Sequence, residues 1–404
     1  MKKAMAAVLV AILSLTIIAA CEKKYKEELV NIENVYIVPN TENFLRDEVP
    51  TKTENGGLTA FLAKNESEGM QFLLRFDRDV KNVKVSVSDI LNENGDKLDF
   101  TLYRQRYIEV NEERFPTETG FYPDALIPMF DGSDGKEAND TCNIDAGKNQ
   151  GYWITVRSAQ TQAAGKYTGK VSVTFDGGER EIPVSVEVWD FALPVKSSMQ
   201  TNFLHHWNNN YYEDVGISSK EMNRMVWEFF LDYRISGNYM FFIEYDGYGA
   251  DLENYVKSMK EFVDEHPEIT HVQLLLHQWD YSGTVDSEAM ANNKNNKYMY
   301  ELLKKYGLTQ IASYYVVDEP ADTEANEKLI KDLAAGISGF APDIKNIVTT
   351  NNSKYDGYIS CWCPLWNMID KSFVAEKQAL GEHVWWYGCA VPAAPYPTYH
   401  LNDN

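Results

Sequence analysis

Two adjacent carboxylates, Asp318 and Glu319, have the clearest chemical potential in this sequence. They end an apolar run that starts at Ile311, and Pro320 follows them. The run predicts a buried parallel strand, and the proline predicts both its end and the opening of the next helix. The pair should then lie at the carboxyl end of a strand, where α/β folds carry out their chemistry. Because two ionised carboxylates this close repel each other, we expect one to keep its proton and act as a general acid. The alternative is that Asp318 caps the helix predicted over 321–336 and Glu319 is solvated.

The amino terminus has the pattern of an export signal. Lys2 and Lys3 precede an apolar run over 4–18, and two alanines then lead to Cys21. The run is short for a membrane span, and small residues before a cysteine are typical of a bacterial lipoprotein signal. We therefore predict a signal peptide over 1–20, a lipid on Cys21 and a tether over 21–29. This predicts a lipoprotein of the outer membrane, periplasm or cell surface.

Composition limits the partners. The formal net charge is −22 over 404 residues, so nucleic acid and anionic lipid heads are disfavoured and the lipid is the expected membrane contact. With 44% hydrophobic and 13% aromatic residues the chain can build two cores. No cofactor motif is present, no cysteine or histidine spacing predicts a metal site, and the pairing of Cys361 or Cys363 with Cys389 stays open. Neutral sugars are compatible with this acidity.

The residues from 30 to 195 predict an all-β domain. Short alternating runs are separated by turn signals at Asn94-Gly95 and at Asp176-Gly177-Gly178. Seven candidate strands without a helix favour a β-sandwich. Its expected role is structural support or binding. They are Leu58–Leu62, Gln71–Phe76, Val83–Val87, Phe100–Val110, Tyr152–Val156, Tyr167–Phe175 and Ile182–Val188.

From 196 to 404 strands and helices alternate. Apolar residues at helical spacing separate seven candidate strands: Thr201–His206, Asn238–Ile243, His271–His277, Ile311–Val317, Asn346–Thr350, Tyr358–Trp362 and His383–Tyr387. This alternation predicts a (β/α)₈ barrel. Because the chain ends soon after the seventh strand, we expect this barrel to be incomplete at its carboxyl terminus.

The ends of these candidate strands combine aromatic rings with carboxylates. Sugars stack their CH faces on such rings, while acids and amides bind their hydroxyls. Core packing is the alternative for any single tryptophan. The predicted substrate contacts are His205, His206, Glu244, Trp279, Asp280, Trp362, Trp385, Trp386 and Tyr387.

A retaining glycosidase ordinarily needs a second carboxylate about 5 Å from its acid. The seventh strand, where that nucleophile is often expected, offers Val384 to Tyr387 and no acid. In the substrate-assisted alternative, the 2-acetamido oxygen of the sugar is the nucleophile, and an acid with a neighbouring carboxylate is sufficient. The Asp318–Glu319 pair supplies both.

The sequence resembles glycoside hydrolase family 123. The resemblance starts near Asn31 and includes the segments 63–71, 122–128, 150–156, 164–169, 188–194, Asp318-Glu319-Pro320 and Trp385-Trp386-Tyr387. It implies a β-sandwich before a (β/α)₈ barrel and β-N-acetylgalactosaminidase activity. It also implies that Glu319 is the general acid/base and that Asp318 positions the acetamido group.

The sequence thus predicts a glycosidase that removes terminal β-linked N-acetylgalactosamine with retention, through an oxazolinium intermediate. One alternative is a two-carboxylate retaining exo-glycosidase for another sugar, with Glu244 or Asp280 facing Glu319. The other is a non-catalytic glycan-binding lipoprotein or an inactive, truncated relative.

Overall fold

The chain divides between Leu193 and Pro194 into two compact units. The computed structural model describes residues 32–50, 56–111, 119–132, 138–204, 216–243, 251–276 and 285–388. Each unit builds its own core within these ranges.

The first unit is all-β in its described part. Its strands are β1 (Val35–Val38), β2 (Leu58–Lys64), β3 (Ser67–Arg75), β4 (Val80–Val87), β5 (Ile90–Leu91), β6 (Lys97–Val110), β7 (Gly120–Pro128), β8 (Thr141–Ile144), β9 (Asn149–Arg157), β10 (Gly165–Phe175) and β11 (Gly178–Ala192). They form one 11-stranded sheet with the main order β1-β3-β9-β6-β5-β10-β11-β2. Its pairs are antiparallel except for the parallel pair β11–β2.

Alternation of apolar and polar residues explains how this sheet folds around one core. In β11, Ile182, Val184, Val186 and Val188 are buried, and the residues between them are not. Their side chains share a core with Phe72 of β3 and with the other buried residues of the sheet.

The strand predictions for this unit are confirmed. All seven predicted strands lie within β2, β3, β4, β6, β9, β10 and β11, apart from a one-residue overrun at Phe76. Both turn signals connect paired strands, and Gly95 and Gly177 have φ angles of 86° and 94°, which favour glycine there. The sequence reading missed β1, β5, β7 and β8.

The second unit alternates strands and helices. Its described strands are β12 (Val272–Leu274), β13 (Ala312–Val317), β14 (Lys345–Val348), β15 (Cys361–Trp362) and β16 (His383–Val384), which form a five-stranded parallel sheet in chain order. Its described helices are α1 (Ser219–Asp232), α2 (Leu252–Glu265), α3 (Ser287–Asn292), α4 (Lys294–Lys305), α5 (Glu324–Phe340) and α6 (Lys371–Ala379), with short 3₁₀ turns at Ser353–Tyr355 and Trp366–Met368. None of the described helices combines the length and the apolar character needed to cross a membrane.

Side-chain caps fix where these six helices begin. Each follows a Ser, Thr, Asp or Asn whose side chain accepts a backbone N–H of the first turn, which satisfies an otherwise unpaired donor. The capping residues are Ser218, Asp251, Asp286, Asn293, Thr323 and Asp370.

The two faces of the parallel sheet have different neighbours. On β13, Tyr314 and Val316 pack in the core that includes the helices. The alternate residue Tyr315 packs instead with Ile347, Cys361 and Cys363. We call the side that carries Tyr315 the inner face.

Three predictions of secondary structure in this unit are wrong. Pro320 does not open the next helix, because α5 begins at Glu324 after its cap Thr323. The candidate strand Asn238–Ile243 forms turns and bends, and the first candidate strand contributes only an isolated parallel bridge between Phe203 and Gly237 in its described part. These two runs were predicted from hydrophobicity, which does not establish that a partner strand is in register.

Candidate active site

Asp318 follows the last residue of β13, as predicted, and its side chain is exposed. Its Oδ1 accepts hydrogen bonds from the Tyr315 hydroxyl at 2.6 Å and from the Thr349 hydroxyl at 3.2 Å. Tyr315 lies three residues earlier on the same strand, and Thr349 follows the neighbouring strand β14. The capping alternative is wrong, since Thr323 caps α5. One oxygen of Asp318 is therefore oriented by two side-chain hydroxyls.

The groups beside Asp318 stay neutral. Burial, followed by the hydrogen bond to Asp318, raises the pKa of Tyr315 well above its ordinary value of 10.0. Burial, followed by the charge of Asp318, raises the pKa of the Cys363 thiol to about 12. Tyr315 thus remains a hydrogen-bond donor at neutral pH, and Cys363 remains a thiol rather than a nucleophilic thiolate.

Glu319 has an unusual backbone conformation. Its φ of 41° lies in the left-handed region, which costs a residue other than glycine about 1–2 kcal/mol. Its backbone N–H donates to the Thr349 hydroxyl. Its exposed side chain accepts, at Oε1, a 2.5 Å hydrogen bond from the Tyr387 hydroxyl. Backbone strain of this kind persists where the surroundings enforce it, commonly at functional sites.

Tyr387 reaches Glu319 from the segment that follows β16, the last described strand of the sheet. It lies three residues after β16 and forms a parallel bridge with Leu365. Its backbone carbonyl accepts from the N–H of Trp366 at 2.9 Å. Tyr387 was predicted as a substrate contact, and in the structure it contacts the acidic pair directly.

Trp362 corrects a sequence prediction. Its side chain is completely buried instead of reaching a sugar. The indole N–H donates to Glu382 at 2.7 Å, and the ring packs against Phe373 and under the Lys377 ammonium. The cause is strand alternation, because Trp362 points to the helices while Cys361 and Cys363 point to the inner face.

The two tryptophans before Tyr387 have different surroundings. Trp385 is partly buried and meets the His271 ring edge-to-face at 5.1 Å. Trp386 is 62% exposed and can present its ring to a ligand. The remaining predicted contacts lie outside the described residues: His205, His206, Glu244, Trp279 and Asp280. Cys21 also lies outside them.

Sequence reasoning missed Tyr315 and Thr349. The spacing of Tyr315 and Asp318 could have indicated their contact. Two residues three positions apart at the end of a strand can meet when the chain turns after that strand. Thr349 lies within the predicted strand Asn346–Thr350, but which strand lies beside β13 is not readable from either segment alone. Its role depends on the pairing of Val317 with Val348.

Beneath the acidic pair, the inner face is polar. The His271 Nε2 and the Ser313 hydroxyl are 2.5 Å apart, and the Lys345 ammonium donates to Gln200. Burial, followed by the charge of Lys345, lowers the pKa of His271 to about 3. His271 is therefore neutral at physiological pH. Among the described residues, no group of three or more His, Cys, Asp and Glu side chains is placed to hold a metal ion.

This geometry suits acid–base chemistry with an oriented anion. The exposed Glu319 can exchange a proton with a bound molecule, and Asp318 can accept a hydrogen bond through its other oxygen. Among the described strands β13 to β16, only β13 is directly followed by carboxylates. The residues directly after β14, β15 and β16 are Thr349, Cys363 and Trp385.

Comparisons with known proteins find a matching family model and a solved structure of similar fold. Residues 41–175 match the family model of the glycoside hydrolase 123 N-terminal domain. The fold is similar to that of a family 123 glycoside hydrolase from Clostridium perfringens, studied for the hydrolysis of glycolipid glycans. The TM-score is 0.61 at 14% identity, over 91% of this chain and 73% of that one. Such a low identity supports a shared fold only.

Two further similarities are too weak to support an argument. A β-glucuronidase from Bacteroides uniformis has a TM-score of 0.25 at 9% identity, over 89% of this chain and 38% of its own. A putative α-galactosidase from Bacteroides fragilis also scores 0.25, at 10% identity, over 81% of this chain and 59% of its own. A search of curated protein sequences found no match.

The comparisons thus show two likenesses of this chain, one in sequence over residues 41–175 and one in fold over most of its length. More specifically, residues 41–175 resemble the N-terminal domain of glycoside hydrolase family 123, so the predicted resemblance to this family is confirmed.

Proposed function

We propose that the protein hydrolyses terminal β-linked N-acetylgalactosamine with retention of configuration, by substrate-assisted catalysis. Glu319 is the general acid/base and Asp318 orients the acetamido group of the sugar. Glycans are the substrate class, and the sugar identity follows the family resemblance.

The mechanism assigns each carboxylate one task. The acetamido oxygen attacks the anomeric carbon as the glycosidic bond breaks, and the Glu319 proton passes to the leaving oxygen. Asp318 accepts the N–H of the acetamido group and stabilises the positive charge that develops in the oxazolinium ion. Glu319 then removes a proton from the water that opens the ring.

One observation supports this mechanism above the others. The two adjacent carboxylates are held by different side chains, Asp318 by Tyr315 and Thr349, and Glu319 by Tyr387. A tyrosine hydroxyl, not a carboxylate, thus contacts Glu319 from the segment after β16, where a double-displacement enzyme commonly places its carboxylate nucleophile. Exposed aromatic residues, Trp386 at 62% and Trp366 at 42%, are available near Tyr387 to bind sugar rings.

The test combines an inhibitor with a variant. A thiazoline analogue of the cyclised sugar should bind much more tightly than N-acetylgalactosamine, because it resembles the intermediate and its flanking transition states. Asp318→Asn should slow substrates with good and poor leaving groups to the same degree, because bond formation at the anomeric carbon is impaired in both. Lack of thiazoline inhibition, together with a glycosyl group trapped on a carboxylate, would replace this mechanism with double displacement by a residue such as Glu244 or Asp280.

We also propose that the second unit is a (β/α)₈ barrel. Its five described strands are parallel and in chain order, and Phe203 and Gly237 add a parallel bridge. The segment before Phe203 also lies over the inner face, since Gln200 accepts from Lys345 and Asn202 donates to Gln273. A curved sheet that returns towards its first strand accounts for these contacts. An experimental structure with an open, flat sheet would contradict this proposal.

The location of the protein is a further proposal, based on the sequence of the amino terminus. If Cys21 carries a lipid, Cys21→Ser should move the protein from the membrane fraction to the soluble fraction. Retention of the variant in membranes would contradict lipidation at this residue.

A further inference from the structure

We propose that Thr349 is a positioning residue that sets the geometry of the acidic pair through its single hydroxyl. The catalytic roles of Asp318 and Glu319 rest on the proposed function. The contacts of Thr349 with these two residues belong to the fold and do not depend on that function.

The Thr349 hydroxyl contacts both members of the pair. Its Oγ1 accepts the backbone N–H of Glu319 and lies 3.2 Å from Oδ1 of Asp318. A threonine hydroxyl has only one proton to donate, and the Val317 carbonyl lies farther away at 3.4 Å. Because hydrogen bonds to charged acceptors are the stronger ones, the proton goes to the Asp318 carboxylate.

The position of Thr349 makes this link rigid. It directly follows β14, whose Val348 pairs with Val317 at the end of β13. Its side chain is only 8% exposed, so water competes little for the hydroxyl. The neighbouring strand thereby determines where the chain turns after β13.

The hydrogen bond to the Glu319 N–H helps to hold a costly conformation. A left-handed residue other than glycine is destabilised by about 1–2 kcal/mol, and Glu319 has a φ of 41°. The same hydroxyl orients Oδ1 of Asp318, which leaves Oδ2 to face a substrate. Loss of the hydroxyl should therefore displace the acid/base and the orienting carboxylate together.

The matched variants are Thr349→Val, which removes the hydroxyl while keeping the shape, and Thr349→Ser, which keeps the hydroxyl. Thr350→Val is the neighbouring control, because the Thr350 hydroxyl accepts from the N–H of Asn352 and not from the pair. We expect Thr349→Val to lower kcat by about 10- to 100-fold for good and poor leaving groups alike, since a misplacement of about 1 Å is enough for such losses. KM and the melting temperature should change little, Thr349→Ser should recover most of the loss, and Thr350→Val should behave like the unmodified protein. Full activity of Thr349→Val, or an equal loss in Thr349→Ser, would overturn the proposal.

A second measurement does not depend on activity. Crystal structures of the Thr349→Val and Thr349→Ser proteins should differ at Glu319, with a negative φ and a shifted carboxylate in the valine variant only. An unchanged Glu319 in the valine variant would overturn the positioning role. If the unmodified protein neither turns over N-acetylgalactosaminides nor binds the thiazoline, the proposed function fails, while the crystal structures still decide the role of Thr349.

Discussion

Two glutamates in turns, Glu66 and Glu319, show how differently the two units use a carboxylate. Each belongs to a segment that carried the family resemblance, and each turn contains a left-handed residue, Asn65 at 60° and Glu319 itself at 41°. Glu66 is partly buried and accepts the backbone N–H of Ala63 at 2.6 Å, within the turn that connects β2 to β3. Glu319 is exposed and is held by Thr349 and Tyr387, which follow two other strands of the sheet.

The surroundings of Glu66 extend the contrast. Its own N–H and carbonyl bond with Ser158, and the amide of Asn65 donates to the carbonyl of Leu193. These contacts fix the end of the chain segment that leaves the first unit. A carboxylate engaged by local backbone stabilises a turn, whereas one held by distant side chains and left exposed is available for chemistry.

The largest expected effect tests this contrast directly. Glu319→Gln should slow substrates with poor leaving groups by about 10² to 10⁴, because proton donation contributes that much, and should slow those with good leaving groups far less. Glu66→Gln is the matched control, because its amide oxygen can still accept from Ala63, and its rates should be unchanged. Kinetics with a series of aryl glycosides measure both variants. The acid/base role would be contradicted if the rates of the Glu319 variant depended on the leaving group no more strongly than the rates of the unmodified protein.

The next effect concerns a buried residue below the pair. The pKa of His271 is lowered from 6.5 to about 3 by burial, so the unfolded chain binds a proton at this residue between these pH values and the folded chain does not. Its contribution to stability is fully present above pH 6.5 and is lost as the pH falls towards 3. The loss by pH 5 should be about 2 kcal/mol, since one pKa unit corresponds to about 1.4 kcal/mol.

Denaturant unfolding between pH 7 and pH 5 measures this loss. His271→Asn should make the free energy of unfolding less dependent on pH. His383→Asn, at an exposed histidine, is the control and should have a smaller effect. An unaltered pH dependence in the His271 variant would mean that the pKa of His271 is the same in the folded and unfolded protein.

A third prediction tests the stabilising role of Glu66. Glu66→Ala removes the acceptor of the Ala63 N–H and should lower the free energy of unfolding by about 1–2 kcal/mol, because the N–H of this buried residue is left without a partner. Calorimetry should detect the change, with kcat unaltered. A fall in kcat without a fall in stability would show that the contrast between the two glutamates is wrong.

The smallest effect is expected at Tyr387. Tyr387→Phe keeps the ring and removes the hydroxyl that bonds Glu319, so kcat should fall by about tenfold, equivalent to about 1.4 kcal/mol. Tyr358→Phe is a control from the same unit, on a ring that contacts Lys331 rather than the pair. A normal kcat for the Tyr387 variant would show that the position of Glu319 does not depend on this contact.

The sequence by itself determined most of the longer strands of the first unit and the place of the acidic pair at the end of β13. An apolar run that ends in charged residues and a proline has few solutions besides a buried strand, so the end of β13 was predictable. The alternation that changes near Pro194 likewise separated an all-β segment from an α/β segment.

Only the tertiary structure decided which side chains meet the pair. A parallel strand is buried on both faces, so its apolar run does not show which residues point to the helices, and Trp362 was therefore placed on the wrong side. Thr349 and Tyr387 reach Asp318 and Glu319 through the pairing and register of separate strands. Register depends on the packing of the whole sheet, and the periodicity of a single segment does not specify it.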